Sequence, residues 1–244
     1  MSYHIKGDRL ILNMDVVQRQ VLPYYPYYRA DMPAPGAIVD FHDQKNTTGN
    51  QQRAWLVHYC LKAFTESGGI PGIDLGSAGI RMPGCLPTDF IANTESPLYG
   101  GSMNGVALRV DATDLRIFGN DSFSCIVANH LIEHLPCNIL PADASQEDRY
   151  RVRCPGIEIL PVLRDHWLRV LYPGGYICII FPDESYARED GGSVLYHDET
   201  HRHAWDAKSF YWAIIEPLLD KVEVVEFDTL GNRFSTNVAL RKKF

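Results

Sequence analysis

Polar residues recur directly behind short apolar runs along this chain. The run that begins at Ile70 ends in Asp74-Leu75-Gly76-Ser77-Ala78-Gly79. Its glycines allow a tight turn and let a ligand approach the backbone. Asp89 stands fifteen positions beyond Asp74, where an acidic side chain can take both hydroxyls of a ribose. Asp111-Ala112 and Asn129-His130 follow two further apolar runs. Polar groups at successive strand ends suit ligand binding at the carboxyl edge of an open α/β sheet. The histidines form two more groups. His130-Leu131-Ile132-Glu133-His134 matches H-x-x-E-H, in which two histidines four apart on a helix share zinc and the glutamate polarises water. His197, His201 and His203, with Asp198 and Trp205, could hold a metal, supply a base or cap a following helix. His201, midway in its loop, is the first candidate for a catalytic base, and His134 is the second.

The elements that must position these residues follow from hydrophobic periodicity. Trp55, Leu56, Tyr59, Cys60, Ala63 and Phe64 recur at helical spacing between Asn50 and Ser67, and Gly68-Gly69 ends the run. Strands are expected over Ile70–Leu75, Val106–Val110, Phe123–Ala128 and Tyr176–Phe181, the last apolar on both faces as a central parallel strand should be. A helix is expected to start at Asn129 and to close at Pro136, and others to span Ile157–Leu171 and Lys208–Leu219. Val222–Leu230 and Ser235–Arg241 flank Gly231-Asn232 as a hairpin. Strands alternating with helices imply a doubly wound α/β sheet closed by an antiparallel pair. Four prolines interrupt the cluster Tyr24, Tyr25, Tyr27 and Tyr28, so no long helix crosses it.

At 244 residues the chain has room for one large domain, and its 45% apolar and 22% charged content argues against disorder. A net charge of −7 offers no electrostatic footprint for nucleic acid. No run is long enough to span a membrane, and the start of the chain does not resemble a signal peptide, so a cytoplasmic location is expected. The six cysteines lack any C-x-x-C pair and read as reduced core thiols.

Together, four stretches resemble the class I S-adenosylmethionine-dependent methyltransferases, in particular those with a stand-alone domain acting on small molecules. They are Gly72 to Gly79, Val110 to Leu115, Asp121 to Val127 continuing through His130 to Leu135, and Leu168 to Gly175. The resemblance implies a Rossmann-like, doubly wound, seven-stranded sheet, mostly parallel, with an antiparallel C-terminal hairpin strand. It places the methyltransferase domain at 68–244, behind an N-terminal cover segment, 1–67, with one helix. The loop 141–153 would be a further lid element. The resemblance also implies S-adenosylmethionine as cofactor, S-adenosylhomocysteine as product, a small-molecule acceptor, and no metal, nucleic-acid or membrane partner. Position by position, Asp74 with the backbone of Gly76, Ser77, Ala78 and Gly79 would hold the methionine end of the cofactor. Asp89 would hold the ribose, Asp111 the adenine amino group and Ala112 the adenine ring, with Asn129 and His130 beside the sulfonium. An ammonium and a sulfonium suit acidic surroundings, whereas Asp74 would be a poor neighbour for a pyrophosphate. The chain departs from the pattern at Ala78, where the family usually has a second glycine, and at Ser124, where an acid often stands. Two other functions stay open: a non-catalytic regulator of the same fold, and a zinc hydrolase using His130, Glu133 and His134.

Overall fold

The computed structural model describes residues 3–6, 9–12, 38–40, 48–77, 82–90, 108–135, 159–189, 191–198, 200–229 and 234–244. Ala78, Gly79, the Tyr24 to Tyr28 cluster, the 141–153 loop and the Gly231-Asn232 turn lie outside the described residues.

Alternation within the strands organises the core. In β7 (Phe123–Asn129), Ile126 and Ala128 face one hydrophobic cluster while Cys125 and Val127 face another. β8 (Leu171–Pro182) repeats this, with Ile177, Ile179 and Phe181 against Tyr176, Cys178 and Ile180. A strand buried on both faces needs cover on both. Helix α1 (Thr48–Glu66) supplies it on one side through Leu56, Cys60, Leu61 and Phe64. On the other, α2 (159–170) contributes Leu163 and Trp167, and α5 (207–218) contributes Phe210, Ile214 and Ile215. Two short helices, α3 (Glu184–Glu189) and α4 (Val194–His197), lie between β8 and α5.

The sheet is completed by β4 (Gly72–Leu75), β5 (Cys85–Asp89), β6 (Leu108–Arg109), β9 (Val222–Thr229) and β10 (Ser235–Lys242), in the order β6-β5-β4-β7-β8-β10-β9. The pairs from β6 to β8 are parallel, and β10 lies antiparallel between β8 and β9. The chain moves outward from β4 through β5 to β6 and then returns to the other side of β4 as β7. The order reverses between β4 and β7, so the carboxyl ends of these two strands form the topological switch point. A separate three-stranded sheet joins β1 (Tyr3–Lys6), β2 (Arg9–Leu12) and β3 (Ile38–Asp40), which the proline-broken sequence does not suggest.

Three expectations change. β5 begins ten residues after β4 ends, a shorter crossover than the dozen or more residues parallel neighbours normally use, and the described residues of this connection, 76–77 and 82–84, are not helical. The helix expected from Asn129 is only a 3₁₀ turn, Ile132–His134, because His130 adopts φ +49° and breaks helical continuation. β8 starts at Leu171, before the glycines expected to precede it, and its pairing with β7 shifts register across them. The four described cysteines, Cys60, Cys85, Cys125 and Cys178, are buried and free.

Candidate active site

The turn after β4 has a shape that only glycine fits. Gly76 has φ +66°, and a Cβ there would come within 2.8 Å of Leu131 Cδ1. Ser77 donates its N–H to the carbonyl of Thr88, while its buried Oγ makes no hydrogen bond. Asn129, at the end of the adjacent switch-point strand, likewise carries a buried Oδ1 without a partner. Buried polar atoms normally find partners, and these two have none. Asp74 is buried in β4, on the face covered by α1. Burial holds its carboxyl well above the usual carboxylate range, and Cys125 and Asp89 add to the effect. A cation brought beside it would relieve that cost. Asp89 ends β5, also buried, so the two acids approach the switch point from neighbouring strands.

Asp111 and Ala112, expected on the adenine side, are differently placed. Asp111 is exposed, and its Oδ1 accepts from both the N–H and the hydroxyl of Thr113 at 2.8 and 2.7 Å. This is a local Asx turn that any loop could use. The carbonyl of Ala112 accepts from Trp167 Nε1 at 2.8 Å, which leaves its N–H as the main-chain group able to serve a ring.

His130 sits on the strained turn between β7 and the 3₁₀ turn. Its Nε2 lies 3.0 Å from Gln52 Nε2 and 3.3 Å from Ser235 Oγ, and its ring stacks on Phe234. Accepting from the Gln52 amide leaves the proton on Nδ1, which lies 3.3 Å from Glu133 Oε1. The H-x-x-E-H reading therefore changes. Because the segment is not an α-helix, His130 and His134 do not converge as a ligand pair. Instead Glu133, His134 and His201 bring one potential ligand atom each within 4.8 Å of one another. The second histidine group divides accordingly. His201 joins Glu133, buried His203 stacks on Trp205, and exposed His197 stacks on Phe234.

Two loops meet at this cluster through the backbone. The carbonyl of Glu133 accepts from the N–H groups of Arg202 and His203, and His203 Nε2 lies 3.0 Å from the Leu135 carbonyl oxygen. Burial pushes the His134 imidazole below its ordinary value, with Glu133 opposing and His201 adding to the shift. Gln52, Thr200 and Ser235 are contributors that sequence reasoning did not identify. Asp198-Glu199-Thr200 carried a usable signal. D-x-[ST] recurs at Asp111, Asp183 and Asp198, and in each case the aspartate accepts from the backbone and hydroxyl two residues on.

No family model and no curated protein matches the chain. Solved structures do. A S-adenosylmethionine-dependent methyltransferase from Archaeoglobus fulgidus is 14% identical, covering 78% of this chain and 94% of its own, with a TM-score of 0.45. The N-methyltransferase NodS from Bradyrhizobium japonicum WM9, bound to S-adenosylhomocysteine, is 14% identical over 93% of this chain and 97% of its own, with a TM-score of 0.46. A protein of Pyrococcus horikoshii OT3 whose name states no activity is also 14% identical, over 91% and 99%, with a TM-score of 0.44. At these values no residue role is transferred to this chain. The sheet speaks for the fold through its strand order, its reversal beside β4 and its antiparallel penultimate position for β10. The chain has a seven-stranded, doubly wound, Rossmann-like α/β fold, mostly parallel and closed by antiparallel C-terminal strands.

Proposed function

We propose that this protein is an S-adenosylmethionine-dependent methyltransferase acting on a small-molecule acceptor in the cytoplasm. The observation that carries the reading is the buried acid Asp74 beside the Gly76 turn, at a switch point with two unsatisfied polar atoms, Ser77 Oγ and Asn129 Oδ1. Asp74 and the turn would take the ammonium and carboxylate of the methionine moiety, with Ala78 and Gly79 completing the turn. Asp89 would accept from the ribose hydroxyls. Asp111 and the N–H of Ala112 would meet the adenine, and Asn129 and His130 would border the sulfur.

Bound cofactor supplies an already activated methyl group, so the protein's share is chiefly positioning and exclusion of water. A hydroxyl acceptor must also lose a proton. We assign that task to the cluster of Glu133, His134 and His201, which includes both candidate bases and is joined to the cofactor side by His130. The domain would run over 68–244, with 1–67 as its cover.

Calorimetric titration with S-adenosylhomocysteine tests the reading. One site is expected, weakened by about 10-fold or more in Asp89→Ala and Asp111→Ala, as loss of a charged hydrogen-bond partner implies. Absence of binding to the intact protein, or unchanged affinity in both folded variants, would contradict it.

A further inference from the structure

Glu133 is almost fully buried, and neither carboxylate oxygen makes a hydrogen bond. Its nearest counter-groups are the Nδ1 of His130 at 3.3 Å and the Nε2 of His134 at 4.0 Å from Oε1. An ionised carboxylate left so poorly partnered in the interior is costly unless a cation is brought to it. The imidazoles of His134 and His201 are arranged to present lone pairs. Thr200 Oγ1 donates to Asp198 Oδ1 at 2.6 Å, so at 2.8 Å from His134 Nδ1 it accepts that atom's proton, and the lone pair falls on Nε2. His201 Nδ1 lies 2.6 Å from the carbonyl oxygen of Val194, which can only accept, so here too the lone pair falls on Nε2. Such partners on the second ring nitrogen are what fix metal-binding histidines in orientation and tautomer.

From this arrangement we infer that Glu133, His134 and His201 form a binding site for a divalent transition-metal cation. Two imidazoles with one carboxylate suit zinc and its first-row neighbours better than magnesium or calcium, which prefer oxygen. Ligand atoms within 4.8 Å of one another need to close toward the roughly 3.3 Å spacing set by metal–ligand bonds of about 2.1 Å. The backbone bonds from Arg202 and His203 to the Glu133 carbonyl already hold the two ligand-bearing loops together. Three protein ligands leave a coordination position open for water or an acceptor oxygen, as in catalytic rather than structural sites. With metal bound, the cluster would promote loss of the acceptor's proton by lowering the pKa of the coordinated oxygen, in place of a free imidazole base. The site stands independently of the cofactor assignment, since none of its three residues is assigned to cofactor binding.

The test uses the full chain, stripped with chelator and dialysed, and titrated with zinc chloride against a chromophoric competitor. Cobalt(II) titration should report nitrogen–oxygen coordination through its visible absorption bands. The wild-type chain is expected to take up one equivalent of zinc and to gain thermal stability from it. Affinity should fall by about 100-fold or more in Glu133→Gln, a near-isosteric change, and by about 10-fold to 100-fold in Thr200→Val, which removes only the support of His134. Circular dichroism and S-adenosylhomocysteine titration of each variant identify any that misfold. Failure of the wild-type chain to bind one equivalent of zinc or cobalt would overturn the inference. So would equal affinity in wild type and folded Glu133→Gln, and if that variant misfolds, equal affinity in folded Thr200→Val would do the same.

Discussion

Gly76 joins the chemistry to the backbone. Its φ of +66° already disfavours any side chain, and Leu131 Cδ1 occupies the space a Cβ would enter. Leu131 belongs to the turn that carries His130 and Glu133, so pressure at Gly76 is passed to both halves of the site. Gly76→Ala is therefore expected to cost about 1–2 kcal/mol or more of stability, read by urea unfolding, and to weaken S-adenosylhomocysteine binding. Wild-type values for both would show that the turn tolerates a side chain. The same scale shows what sequence could and could not disclose. The turn at Gly76 behind β4 was legible because turn chemistry is local. The partnership of Glu133 with His201 was not, since 68 positions separate them and only the loop after β8 brings them together. The H-x-x-E-H spacing suggested the wrong pair because spacing assumes a helix, and the positive φ of His130 prevents one.

Among the elements, α1 has the largest consequence for the sheet. Leu56 and Leu61 are completely buried, and the helix covers Val127, Cys178 and Ile180 of the central strands. Trp55 Nε1 and Tyr59 OH donate to the two carboxylate oxygens of Glu226 in β9, which fixes the helix laterally. Gln52, on the same helix, reaches His130 and Ser235, so the cover also orients a residue of the site. Leu61→Ala is expected to destabilise by about 2–5 kcal/mol, measured by denaturant unfolding, because the removed side chain leaves a cavity between helix and strands. A loss below about 1 kcal/mol would mean that α1 contributes little to the core. The helical period made this element legible, and the alternating apolar runs did the same for the hairpin of β9 and β10. β6 was legible in the run Val106–Val110, within which Leu108 and Arg109 form the strand.

At the scale of the molecule, the acidic balance includes a costly member in Asp74. Asp74 holds its proton more tightly when folded than when unfolded, so the folded state binds more protons as pH rises above the ordinary carboxylate range. Its contribution is favourable at low pH and is lost as pH climbs from the unfolded value through the raised folded one. Asp74→Asn keeps the shape of the neutral acid and removes this loss, so it should be more stable than wild type at neutral pH and converge with it in acid. The cost has a function if a cation is to be held there, and stability and binding then move in opposite directions. Thermal unfolding at pH 7 with and without saturating S-adenosylhomocysteine, on wild type and Asp74→Asn side by side, measures both at once. The expected result is a higher unfolding temperature for the unliganded variant and a ligand-induced rise that is large in wild type and greatly reduced in the variant. An equal ligand-induced rise in both proteins, or none in wild type, would contradict the assignment of this switch point to the cofactor.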